Sequence, residues 1–170
     1  MRRFLLVDGY NIIGDWPELR VMQGSDLAGA RDVLIEKMAE YQAYTGTKVM
    51  IIFDAHMVPG LGKKYSNYRL DIVYTREKET ADERIEKLVR SLKRVDTEIS
   101  VATSDFVEQR VIFASGALRK SARELRTEVA AIEKGIAKEV LSVKKKTARS
   151  KLPITDEMAE IFEKWRRGEH

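Results

Sequence analysis

The sequence predicts an α/β fold built on a parallel sheet, and three observations point to it. Residues 3–8 (RFLLVD), 48–54 (KVMIIFD) and 98–103 (EISVAT) are short, almost continuously apolar runs. Runs of this kind suit strands buried on both faces. Stretches with helical spacing separate them, and strand–helix alternation implies a parallel sheet with right-handed crossovers and helices on both sides. Each run also meets an aspartate at or just after its end, namely Asp8, Asp54 and Asp105.

In chain order, the first strand is 3–8. A helix follows in which Leu27, Ala30, Leu34, Met38 and Tyr41 step by three and four along one face. Ser25 or Asp26 can cap its start, and Gly46 can end it. The second strand is 48–54. Residues 69–75 (RLDIVYT) alternate more and suit an edge strand. Ile85, Leu88, Val89 and Leu92 form the stripe of the next helix, with Thr80 as N-cap and Glu83 completing a capping box. After the strand at 98–103, a helix is expected to start at Ser104 or Asp105. A fourth is expected along Leu118, Ala122, Leu125, Val129, Ile132 and Ile136. Residues 142–154 read as a lysine-rich linker, and a last helix carries Ile161, Phe162 and Trp165. The expected organisation is one domain over 1–141, with the basic linker and C-terminal helix of 142–170 packed on it.

Composition narrows the chemistry. The chain has 170 residues, 44% hydrophobic and 34% charged, which fits a globular domain with a sizeable core. It contains no cysteine, so disulfides, thiolate metal sites and a cysteine nucleophile are excluded. Its two histidines, His56 and His170, do not supply a histidine-rich metal site. No apolar run approaches the roughly 18 residues of a membrane span. The apolar stretch near the start is shorter than the roughly 7–15 residues of a signal peptide core. The cytoplasm is the expected compartment, with no membrane partner.

The net charge of +4 is unevenly spread. Residues 1–118 hold 17 Lys/Arg against 18 Asp/Glu, whereas residues 119–151 hold 11 against 4. A basic segment beside a neutral body suits a polyanion; a solvated helix face is the plainer reading.

The aspartates carry the chemistry. In open α/β sheets, ligands bind outside the carboxyl ends of the strands, where strand order reverses. Asp8, Asp54 and Asp105 are expected at those ends, and Asp82 in the first turn of a helix that begins there. Each alone has a structural explanation, as a turn residue, a strand end, a helix-dipole partner or an N-cap. Together they form an oxygen-only donor set that suits Mg²⁺ or Mn²⁺.

The segments LVDGYNIIG (6–14), ETADERI (79–85), VATSDFVEQR (101–110) and FASGALRKSARELRTEV (113–129) together resemble the YacP-like branch of the NYN-domain nucleases, in the PIN-like nuclease superfamily. The resemblance runs from residue 3 to at least 130. It implies a PIN-like three-layer sandwich: a central parallel sheet of about four strands in order 3-2-1-4, with helices on both faces. It implies a divalent-metal-dependent endoribonuclease that cleaves mRNA in association with the translating ribosome. Carried over by position, Asp8, Asp82 and Asp105 are catalytic metal ligands, and Asn11 positions a water or phosphate. Asp54 is a less secure ligand, because that position varies among PIN-like proteins. Thr103 or Ser104 would hydrogen-bond a ligand carboxylate, or else cap a helix.

For RNA, residues 57–69 mix cations with rings in Lys63, Lys64, Tyr65, Tyr68 and Arg69, a composition that holds phosphates and stacks on unpaired bases; an ordinary surface loop explains it equally well. The stretch is no P-loop, since Met57 and Lys64 stand where that motif needs glycine and Ser/Thr. Arg119, Arg123 and Arg126 are expected to share one face of the fourth helix. Tyr10 and Trp16 either stack on a base or, the safer reading, belong to the core. Two rival functions stay open: a non-catalytic RNA- or ribosome-binding protein, and a structure-specific DNA nuclease of the same superfamily. A haloacid-dehalogenase-type phosphotransferase is disfavoured because Tyr10 stands where its second aspartate belongs.

Overall fold

A computed structural model describes residues 1–55, 70–151 and 156–168. The chain forms two compact units, Met1–Val129 and Ala130–His170. The first is built on five parallel strands: β1 (Arg2–Asp8), β2 (Lys48–Phe53), β3 (Asp71–Tyr74), β4 (Thr97–Ala102) and β5 (Leu118–Lys120). Their order is β3-β2-β1-β4-β5. The expected order 3-2-1-4 is therefore present, with a short fifth strand added beyond β4. The predicted edge strand is at the edge.

Helices α1 (Gly9–Asp15), α2 (Pro17–Gln23) and α3 (Leu27–Thr45) join β1 to β2. Helix α4 (Ala81–Leu92) joins β3 to β4, and α5 (Phe106–Ala114) joins β4 to β5. The β1-to-β2 connection steps one way across the sheet and the β3-to-β4 connection steps the other. Right-handed crossovers therefore put α1–α3 on one face and α4 and α5 on the other. The switch point lies between β1 and β4, which pair in register from Arg2↔Thr97 to Val7↔Ala102.

Local signals set the helix ends. Asp26 caps α3, its carboxylate accepting the Gly29 N–H at 2.8 Å. Gly46 ends α3 at φ 73°, a conformation that favours glycine. Thr80 caps α4, its hydroxyl accepting the Glu83 N–H at 3.2 Å. On the α4 side of the sheet, Phe4, Leu6, Ile52, Ile99 and Val101 pack with Ile85 and Val89 of α4 and Ile112 of α5. Trp16 is core rather than surface: it is buried and its indole N–H donates to the Ala122 carbonyl at 2.8 Å.

Two expectations need correction, and one alternative reading falls away. Leu118–Lys120 is strand β5, not the start of the fourth helix; the Lys120 carbonyl accepts the Thr103 N–H at 3.1 Å. Helix α6 begins at Ala122 and runs to Lys151, so most of the supposed linker is helical. Lysine is a good helix former, and a charge run without proline or glycine does not stop a helix. Asp8-Gly9 does not form a turn, because Gly9 opens α1. Glycine is needed there for space: a Cβ would collide with the Phe53 ring and lie 3.1 Å from the Ile52 carbonyl oxygen. Gly9→Ala is expected to cost about 1–3 kcal/mol, the scale of overpacking a dense core. Urea unfolding measures it, and an unchanged midpoint would show that Phe53 yields freely.

The second unit holds the remainder of α6 and α7 (Asp156–Arg166). Among the described residues, no helix is long and apolar enough to cross a membrane.

Candidate active site

Strand and helix periodicity bring three carboxylates to one place. Side chains alternate along a strand, so Asp8 shares the face of Phe4 and Leu6, the face that α4 and α5 cover. On α4, Asp82 precedes Ile85 and Val89 by three and seven residues and tops their buried stripe. On α5, Glu108 precedes the buried Ile112 by four residues and lies on the same face. One carboxylate oxygen from each of Asp8, Asp82 and Glu108 falls within 4.8 Å of the others. Asp8 and Glu108 are buried, and Asp82 is partly exposed.

Burial and mutual repulsion hold these groups toward their protonated forms. Burial, with the nearby Asp82 charge, lifts Asp8 to about 6, although the Glu108 carboxyl and the Asn11 backbone amide pull the other way. Glu108 rises to about 9, through burial first and the Asp8 charge second. Asp82 is raised by burial and then by Asp105. Two like charges about 4 Å apart cost roughly 4 kcal/mol at an effective dielectric of 20. Sharing a proton or holding a cation relieves that cost.

The surrounding polar groups fix this arrangement. The Thr103 hydroxyl donates to Glu108 Oε2 at 2.8 Å and accepts the Asp105 N–H at 3.1 Å. Asn11 Oδ1 accepts the Ser104 N–H at 2.8 Å and the Ser104 hydroxyl at 3.0 Å, tying α1 to the loop after β4. Among the described residues, the buried Glu108 Oε1 meets no donor within hydrogen-bonding geometry. A buried carboxylate oxygen without a donor, facing two further carboxylates, fits a hard divalent cation with oxygen ligands.

The expected site residues fall into distinct groups. Asp8 and Asp82 come together. Asp105 sits beside them, close enough that its charge raises both. Asp54 lies just past the end of β2, outside the three-carboxylate group. Thr103, Ser104 and Asn11 make the contacts above. Glu108 was not anticipated from the sequence; its signal was the spacing of an acid four residues before the apolar Ile112. Arg119, Arg123 and Arg126 do not share one helical face, because Arg119 belongs to β5. Arg126 pairs with Glu18 at 3.1 Å. Lys63, Lys64, Tyr65, Tyr68 and Arg69 lie outside the described residues.

Residues 5–167 match the model of the YacP-like NYN domain. The chain belongs to the YacP-like NYN domain family. It is 53% identical over 165 residues to the YacP protein of Bacillus subtilis (strain 168), covering 97% of each chain. The crystal structure of Rae1 (YacP) from Bacillus subtilis superposes with a TM-score of 0.79 at 53% identity, covering 97% of this chain and 95% of that one. A tryptophan-to-leucine mutant of the same Rae1 matches with a TM-score of 0.73 at 48% identity, over 94% of this chain and 89% of that one. NYN domains belong to the PIN-like nucleases, so the family points to a nuclease or RNA-related function. Among the described residues, the acidic group of Asp8, Asp82 and Glu108 could hold a divalent metal.

Proposed function

We propose that this chain is a divalent-metal-dependent endoribonuclease that hydrolyses mRNA phosphodiester bonds in the cytoplasm, in association with the translating ribosome. The observation that carries the chemistry is the meeting of Asp8, Asp82 and Glu108, from three separate elements, within 4.8 Å of one another. The mRNA and ribosome parts of the reading rest on resemblance to the YacP-like branch.

In this reading Asp8, Asp82 and Glu108 hold Mg²⁺ or Mn²⁺, with Asp105 adding negative charge at the rim. Such an ion, when bound, supplies an activated water at neutral pH and offsets charge on the scissile phosphate. Thr103 keeps Glu108 aimed at the centre through its hydrogen bond. Asn11, anchored through Oδ1, presents its side-chain amide nitrogen as a donor to water or phosphate. Water adds to phosphorus in line and the ribose 3′-oxygen leaves, giving a 5′-phosphate and a 3′-hydroxyl. No covalent enzyme intermediate is required, consistent with the absence of cysteine.

The test is incubation with end-labelled RNA, alone and in a translating extract, with added Mg²⁺ or Mn²⁺ or with chelator. An Asp82→Asn preparation serves as control. Cleavage by the native chain that chelator abolishes is the expected result. Cleavage that survives chelator, or that the control reproduces, defeats the proposal. Binding without cleavage under every condition would make the chain a non-catalytic RNA-binding protein.

A further inference from the structure

We infer that Tyr10 is a stacking surface for one unpaired base of the bound RNA. The inference rests on the RNA-cleaving reading above and adds to it a recognition element outside the carboxylates.

Tyr10 lies two residues after Asp8, in the first turn of α1. It and Asn11 diverge: Asn11 reaches Ser104 beyond β4, while the Tyr10 ring turns toward β2. There it meets Phe53, with ring centroids 5.1 Å apart and planes at 56°. Phe53 in turn meets Tyr74 at 6.2 Å and 30°. Phe53 and Tyr74 are paired across the last rungs of β2 and β3. The three rings thus form a row at the carboxyl end of the sheet on the face that α1 covers, while Asp8, at the same end, turns to the α4 face.

Burial distinguishes the members of the row. Phe53 is completely buried, as is Trp16, whereas Tyr10 and Tyr74 each keep part of their surface open. Tyr10 is also held in place: Arg31 Nη1 donates to its hydroxyl at 3.2 Å, and Arg31 is itself buried. A ring backed by Phe53 and pinned through its hydroxyl has little side-chain freedom left to lose on binding. Aromatic faces stack on any unpaired base, and a base held in a duplex cannot reach them without leaving its own stack.

Binding is measured by fluorescence anisotropy with a short labelled single-stranded RNA, in the Asp82→Asn background so that the probe stays intact. Tyr10→Leu is expected to weaken binding about tenfold, and Tyr10→Phe, which keeps the ring but loses the hydrogen bond from Arg31, to weaken it much less. An abasic nucleotide scanned along the probe should cost a similar factor at one position, and that cost should vanish in Tyr10→Leu. Equal affinities of Tyr10→Leu and its parent would overturn the inference, as would an abasic cost that persists in Tyr10→Leu. If thermal melting shows that Tyr10→Leu does not fold, the parent and two other variants still decide: an abasic cost at one position retained in both Tyr74→Leu and Tyr10→Phe supports the inference, whereas no position-specific cost in the parent, or one lost in Tyr74→Leu, overturns it. Cleavage by the native chain is scored separately, so a failed nuclease reading is not mistaken for a failed stacking site.

Discussion

Replacing Glu108 with glutamine is expected to lower metal-dependent RNA cleavage by about 10²–10³-fold while leaving the fold intact. A metal ion offsets several kcal/mol of transition-state charge, and each 1.4 kcal/mol is about tenfold in rate. Glu108 is buried, and among the described residues its Oε1 meets no hydrogen-bond donor. Glutamine keeps the shape and the acceptor for the Thr103 hydroxyl but removes the negative charge that a cation needs. Asp82→Asn, on the neighbouring helix, should behave alike. Initial rates at saturating Mg²⁺ measure the effect, with a thermal melt to confirm folding. A Glu108→Gln rate within a few-fold of the native rate would remove Glu108 from the centre.

The second large effect is on the stability of the metal-free chain. Asp8 rises from 3.8 to about 6, and Glu108 from 4.5 to about 9. Above the ordinary carboxyl range, the folded chain therefore holds protons that the unfolded chain has released. The stabilising contribution is complete below about pH 4 and is lost as pH rises, through 6 for Asp8 and on toward 9 for Glu108. Since one unit corresponds to about 1.4 kcal/mol, a fall of roughly 3 kcal/mol or more between mildly acidic and mildly alkaline pH is expected. Urea unfolding in chelator across that range reads it directly. Adding Mg²⁺ should reverse the fall, because a cation binds the deprotonated site in the folded chain only. Glu108→Gln should flatten the curve and stabilise the metal-free chain at alkaline pH. A curve that is level, or that climbs with pH, would show that the carboxylates do not confront one another.

The legible parts of the fold share one property. Strands β1, β2 and β4 are buried on both faces, so they read as apolar runs without need of any partner. Strand β5 has only Leu118, Arg119 and Lys120 at a sheet edge, too few and too charged to stand out. Helix α1 is masked because Asp8-Gly9 carries the signature of a turn, although Gly9 is there to admit the Phe53 ring. The lysines after residue 142 read as linker because charge runs resemble linkers and solvated helices equally.

The site divides in the same way. Aspartates at strand ends mark the carboxyl edge of a parallel sheet, and for Asp8, Asp82 and Asp105 that local signal led to neighbours. Asp54 carried the same signal and lies outside the group. Glu108 carried no strand-end signal, only its spacing to Ile112, and an acid on a helix is ordinarily solvated. Periodicity along a chain records which face of each segment avoids water. It does not record which segments lie against one another, and carboxylates confront each other only through that packing. Alternation along β1, the stripe of α4 and the register of α5 each aim one acid inward. The closure of α4 and α5 over the β1–β4 switch point is what turns three inward-facing acids into one centre.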